Sequence, residues 1–393
     1  MKKLIALLLA LVMVFAFAAC GGSDTEEETK ETEAVDTVEE TEDTQETEDA
    51  VEMSVAMITD YGDITDQSFN QTTYEACKEY CGENGIDFSY FKPAGDSTAE
   101  RVAMIESAID EGYNVIVMPG YAFADAIKET AGTYSDITFI ALDVGSGDLG
   151  DYELPSNLYC AVYQEELCGY MAGYAAVKLG YTHLGFLGGM PVPAVIRYGY
   201  GYLQGIDAAA VELGIADDVT VEYVYGNQFF GDSDITAYMD NWYQTLGVEV
   251  VFACGGGIYN SAAEAAAKVD GAKVIGVDVD QSAIIDGGYG EGMTVTSAMK
   301  GLAPTVKTML AEVQAGNFAN YGGKIETLGL VSEDPEENYV QIPMTTQFED
   351  GKFTADDYKA LVADMFNGKI DVSNDIETIP ATTVTVNEYA NIK

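Results

Sequence analysis

Hydrophobic and polar positions sort this chain into three regimes. Residues 4–17 form an unbroken apolar run behind the basic start Met1-Lys2-Lys3, and Ala18-Ala19-Cys20-Gly21-Gly22 closes it with small residues and a cysteine. Across 23–52 nearly every side chain is Glu, Asp or Thr, interrupted only by Ala34, Val35, Val38, Ala50, Val51 and a few polar residues including Lys30. From Ser54 onward, short β-branched runs alternate with segments of helix length. Strands are predicted at 54–59, 87–91, 115–118, 138–142, 183–187, 220–224, 248–253 and 273–277, and helices at 71–84, 98–112, 122–134, 165–179, 198–213, 235–246 and 261–269. Near-continuous apolar strands separated by helices are the pattern of a parallel sheet covered on both faces, so the fold class is α/β. There are too many such units for one sheet. The first four strands finish by Asp143, a Gly-, Asp- and Pro-containing loop runs to Pro155, and a second series opens near Tyr159. About 340 ordered residues is also a natural length for two domains.

The opening regimes bear on location. A run of this length is too short to cross a bilayer, which takes ~20 residues per spanning helix, and with its basic start it reads as an export signal over 1–19. The small residues before Cys20 resemble a bacterial lipobox, with Phe17 where leucine is usual. That resemblance implies cleavage before Cys20 and a lipid on its thiol, anchoring the mature protein to the membrane outside the cytoplasm. The segment 20–52 is expected to be an extended leash, because it cannot bury enough apolar surface to offset its ordering and its like charges repel. The chain carries a net charge of −48, and the leash holds fifteen acids against one lysine. Setting aside the leash, Lys2 and Lys3 leaves −36 on the folded part. Such a surface repels phosphate backbones and anionic lipid, which excludes nucleic acid and favours a neutral or cationic small ligand. The five later cysteines, Cys77, Cys81, Cys160, Cys168 and Cys254, are odd in number. They are read as small buried residues, since Cys77 and Cys81 stand four apart on a helix where a disulfide would be strained. No zinc-ligand spacing occurs.

Catalytic machinery is hard to find. His183 is the single histidine, and neither a Walker loop nor a Gly-x-Ser-x-Gly elbow is present. Gly199-Tyr-Gly201-Tyr-Leu-Gln-Gly205 is one residue too long for a dinucleotide fingerprint, and its glycines are expected to allow close helix packing. What the sequence offers instead is polar and aromatic residues just past strand C-termini, where ligands sit in open α/β sheets. Asp60 to Gln71 follows the first strand and ends in an N-cap-like Asn70; Asp143 follows the fourth. Beyond the later strands come Phe229-Phe230-Gly231-Asp232, Gly255-Gly256-Gly257 and Asp278-Val279-Asp280-Gln281.

The motifs Asp66-Gln-Ser-Phe69-Asn70-Gln71, Gly188-Gly-Met-Pro191-Val-Pro193-Ala-Val-Ile-Arg197-Tyr-Gly-Tyr-Gly201, Ile275-Gly-Val-Asp278-Val-Asp280-Gln281 and Thr296-Ser-Ala-Met-Lys300 resemble the basic membrane protein family of lipoproteins. These are the purine-nucleoside-binding components of ABC importers. The resemblance runs from about Met53 to Val372 and implies the type I periplasmic binding-protein fold, with a first lobe of 53–159 plus 297–324 and a second of 160–296 plus 325–393. It implies a purine stacked between Phe69 and Phe230, with Asn70 and Asp143 at the base edge. Gly256, Asp278 and Lys300 would serve the ribose. No catalytic residue, metal or cofactor is expected, and the partner is a membrane permease that receives ligand from a monomer. The chain departs from the family at Cys254 and Gly255, where alanines are common, and at Tyr259, where a small residue is. A sugar or signalling-molecule receptor of the same fold would carry polar residues at 69 and 230. An extracellular nucleoside-processing enzyme would need a general base with a nucleophile or metal.

Overall fold

A computed structural model describes residues 52–393. The expected signal segment, Cys20 and all but the last residue of the leash lie outside the described residues.

In chain order the elements are β1 (Ser54–Ile58), α1 (Phe69–Asn84), β2 (Asp87–Phe91), α2 (Thr98–Asp110), β3 (Val115–Pro119), α3 (Ala124–Thr130), β4 (Thr138–Leu142), α4 (Ser146–Leu149) and β5 (Leu158–Tyr163). Then come α5 (Glu165–Leu179), β6 (His183–Gly188), α6 (Pro193–Leu213), β7 (Thr220–Tyr225), α7 (Ser233–Asn241), β8 (Val250–Cys254), α8 (Tyr259–Ala266), β9 (Lys273–Asp278), α9 (Ser282–Tyr289) and β10 (Thr294–Lys300). The last are α10 (Leu302–Gln314), β11 (Lys324–Leu328), β12 (Val340–Gln341), α11 (Ala355–Phe366) and β13 (Thr385–Glu388).

The strands make two sheets. The first has the order β11-β5-β4-β3-β1-β2 and is parallel throughout; the second has the order β12-β10-β9-β8-β6-β7-β13 and is parallel except for β12. Alternation along each strand sends side chains to both faces. In β1, Val55 and Met57 meet Ala76 and Cys77 of α1, while Ala56 and Ile58 join Ile105 and Ala108 of α2 in a separate core. In β8, Val250, Phe252 and Cys254 face the α5–α6 side, and Val251 and Ala253 face α7 and α8. This is the type I periplasmic binding-protein architecture, two α/β lobes in series.

The chain passes between sheets three times, after β5, after β10 and after β11. Each passage falls about four residues later than the sequence boundaries at 159/160, 296/297 and 324/325, because a whole strand finishes in its own sheet first. Thus β5 and β11 lie in the first sheet and β10 in the second. The crossings lie side by side: Gln164 N–H donates to the Leu328 carbonyl at 2.9 Å, Gly301 N–H to Tyr339 at 2.7 Å, and Tyr339 N–H to Gly329 at 3.1 Å.

Helices α5 and α6 support the site from behind. They pack backbone to backbone, since a Cβ at Gly169 or Gly173 would collide with the carbonyl of Tyr198 or Tyr202, and one at Gly201 or Gly205 with that of Glu166 or Tyr170. Two glycines four residues apart on each helix make this close approach possible, which is the packing role the sequence gives Gly201 and Gly205. The five cysteines after Cys20 are free and buried. His183 opens β6 and pairs its Nε2 with Glu222 Oε1 at 2.9 Å.

Candidate functional site

A cleft of about 890 Å³ lies between the lobes, at the C-terminal ends of the strands. That volume falls within the usual range for small-molecule sites. Phe69, Asn70, Asp143, Phe230, Gly256, Asp278 and Lys300 all line it.

Lys300 is the hub. At the end of β10 it is 6 % exposed, with Nζ 2.5 Å from Asp143 Oδ2, 3.4 Å from Glu165 Oε1 and 3.7 Å from Asp278 Oδ1. Burial works against its charge, but the three carboxylates prevail and hold it protonated well above the ordinary lysine range. Its ammonium also stands 4.7 Å from the Phe69 ring centroid, with Tyr163 and Tyr198 slightly farther. Glu165 is fully buried and takes a second cation, Arg197, whose Nε donates at 2.6 Å. Three carboxylates thus face two cations, so the cluster is richer in acceptors than in donors. Burial raises the Asp278 carboxyl, against the pull of Lys300 and a 2.5 Å hydrogen bond from Ser68 Oγ. Asp143 and Asp278 both sit in the left-handed region, at φ 58° and 65°, where each strand turns sharply toward the cleft. Asp carries its own local hydrogen-bonding capacity there, which lowers the cost for a residue with a Cβ.

Asn70 is not the helix cap that the sequence suggests. Helix α1 starts two residues earlier than predicted, at Phe69, and Asp66 satisfies its free amides by accepting from Ser68, Asn70 and Gln71 N–H at 2.9–3.0 Å. Asn70 is therefore released from capping and turned inward at 5 % exposure, with Oδ1 lacking any partner among the described residues. Asp143 Oδ1 is likewise buried and unpartnered. Both residues line the cleft, and a ligand with N–H or O–H donors that reached these acceptors could satisfy them.

Phe230 lies at the mouth, 61 % exposed. Its neighbour Phe229 is the one turned inward: its ring stacks on Tyr61 of the first lobe, with centroids 6.1 Å apart and planes at 16°. Gly256, at φ 50°, packs under the Phe229 carbonyl.

Asp60, Tyr61 and Phe229 enter the sequence reading only as members of strand-end loops, with no individual role, and Glu165 only as the start of a predicted helix. Asp60 ends up 7 % exposed beside Asn70, where desolvation raises its carboxyl to about 6 against hydrogen bonds from Gly62 and Asn70. Position just past a strand end was the signal for Asp60, Tyr61 and Phe229; Glu165, at the start of a helix, had none. Ser68 to Asp278 joins the lobes across the cleft, as does Gln281 Nε2 to the Gln67 carbonyl at 3.0 Å.

Comparison with known proteins bears on the family and the fold. The family model Bmp, described as ABC transporter substrate-binding protein PnrA-like, matches residues 53–361. The ABC transporter nucleoside-binding protein BmpA of Lactococcus lactis is 26 % identical over 328 residues, covering 77 % of this chain and 89 % of its own. Basic membrane protein B of Borreliella burgdorferi is 27 % identical over 303 residues, covering 76 % and 83 %. Among solved structures, an ABC transporter solute-binding protein of Aeropyrum pernix superposes with a TM-score of 0.62 at 22 % identity, covering 82 % of this chain and 88 % of that one. One from Conexibacter woesei gives 0.62 at 21 %, covering 82 % and 99 %. These two speak to the fold. With a family match across nearly the whole two-lobed body, the chain belongs to the Bmp family of ABC transporter substrate-binding proteins.

Proposed function

We propose that this protein binds a purine nucleoside between its lobes and delivers it to the permease of an ABC importer, while held outside the cytoplasm by a lipid on Cys20. The observation that carries the ligand reading is the pair of buried, unpartnered acceptors, Asn70 Oδ1 and Asp143 Oδ1, in a cleft lined by Phe69 and Phe230. A purine supplies π-faces for the two rings and N–H donors along its edge. Its ribose diol adds two hydroxyl donors for the acceptor-rich cluster of Asp278 and its neighbours. The nucleoside-binding protein of Lactococcus lactis named above supports the same reading. Ligand would sit on both lobes at once, so closure around it is a hinge motion about the three crossings. The reading asks for no general base, nucleophile or metal.

Replacing Phe69 or Phe230 by Ala should weaken adenosine or inosine binding by ~1–3 kcal/mol, since each ring removed is one stacking face. Titration calorimetry reads this directly. Unchanged affinity in both single variants would refute the sandwich.

A further inference from the structure

We propose that Tyr61 and Phe229 together set the size limit of the cleft at its base-edge end, so that purine nucleosides with a small group at the purine 6-position are accepted and those with a bulky one refused. This rests on the nucleoside reading above and adds a residue pair to it.

The two rings come from different lobes, Tyr61 from the loop after β1 and Phe229 from the loop after β7, and meet as a nearly parallel pair. Centroids 6.1 Å apart place them in direct contact range, with no room for a third ring between them. They stand at the Asp60–Asn70 end: Tyr61 follows Asp60 directly, and Gly62 is packed against the side chains of both Asp60 and Asn70. A group projecting from the base edge past Asn70 therefore runs into this wall.

Neither ring can step aside. On the first lobe, Tyr61 OH is hydrogen-bonded to Tyr121 OH at 2.9 Å, and the guanidinium of Arg101 lies 5.8 Å from the Tyr61 ring centroid. Arg101 is itself buried at 4 % exposure and ion-paired to Asp96, so it braces the ring from behind. On the second lobe, Phe229 lies on two glycines. A Cβ at Gly189 would collide with its ring, and one at Gly255 would stand 2.8 Å from Cδ1. Its carbonyl accepts from Gly257 N–H at 2.8 Å. Gly255 is one of the positions where the chain departs from alanine, and the structure gives that departure a reason: the missing methyl makes the seat for Phe229.

The test compares adenosine with N6-benzyladenosine, and inosine with its 6-O-benzyl ether, by titration calorimetry on the full chain in wild-type, Tyr61→Ala, Phe229→Ala and the milder Phe229→Val forms. Thermal melts confirm folding of each variant. In the wild-type protein the benzylated ligands should bind at least a hundredfold more weakly than their parents. In Phe229→Ala or Phe229→Val that ratio should shrink at least tenfold, a change that loss of general packing would not produce, because it would weaken parent and derivative alike. A ratio that stays the same in all three variants, or a wild-type protein that binds parent and derivative equally, would overturn the size limit while leaving nucleoside binding standing. If neither parent nucleoside binds the wild-type protein, the nucleoside reading falls and this one with it.

Discussion

Buried at the end of β1 with its carboxyl in the cleft, Asp60 keeps its proton up to about pH 6, because loss of water outweighs the hydrogen bonds from Gly62 and Asn70. The unfolded chain releases that proton near 3.8. The native state thus holds the extra proton across the interval, and stability falls as pH rises through it. Between pH 5 and pH 8 the part of the fall due to Asp60 is about 1.4 kcal/mol, at 1.36 kcal/mol for the one pH unit below its folded pKa. Asp60→Asn cannot titrate. In urea titrations at pH 5 and pH 8, the variant should lose about 1 kcal/mol less than the wild-type chain, and equal losses would assign the proton to another group. The same residue illustrates what sequence could deliver at this scale. Asp143 and Asp278 were readable because they stand at the ends of predicted strands, where the backbone direction alone puts a side chain at the cleft, whereas Lys300 came only from the family resemblance, no strand being predicted at its position. Phe229 was read only as part of its loop, the family resemblance having put Phe230 at the base. Adjacent residues in a loop point different ways, and which of them faces inward is decided by the glycines under the ring, a contact between distant segments.

Four glycines hold α5 and α6 at backbone contact, so a methyl there has nowhere to go. Gly205→Ala should cost about 1–3 kcal/mol by overpacking. Gly82 in α1 is the control, because a Cβ there meets nothing within 4 Å. Gly82→Ala should raise stability by up to about 1 kcal/mol through helix propensity. Thermal melts of the two variants should therefore move in opposite directions, and a neutral Gly205→Ala would mean the helices can separate freely. Elements with strong patterning were legible with their ends: 87–91, 138–142 and 165–179 are as the sequence predicts. Helix α6 begins at Pro193, five residues before the predicted start, because a proline that looks like a loop signal is also well suited to the first helical turn. The edge strands β11 and β13 were missed, since Lys324–Leu328 and Thr385–Glu388 are half polar and partly exposed and carry no apolar run.

Over the whole molecule, a net charge of −36 beyond the leash makes the cleft a poor place for an anion. Among the described residues, Lys300 and Arg197 are the cations that line it, and both are already engaged by Asp143 and Glu165. A phosphate would lose its water without gaining free donors. Adenosine monophosphate should bind at least tenfold more weakly than adenosine in competition calorimetry, and equal affinity would contradict this account of the cleft. The three crossings also govern how the molecule comes into being. The first sheet lacks its edge strand until residues 324–328 exist, and the buried face of α1, with Ala76, Cys77 and Cys81, waits for α10. The second sheet waits for β12 and β13. Neither lobe can mature on a growing chain, so folding has to be largely a single late event driven by contacts far apart in sequence, and therefore slow. During that wait both half-built sheets expose unpaired edges, which makes a newly made copy of this protein a natural client for holding chaperones.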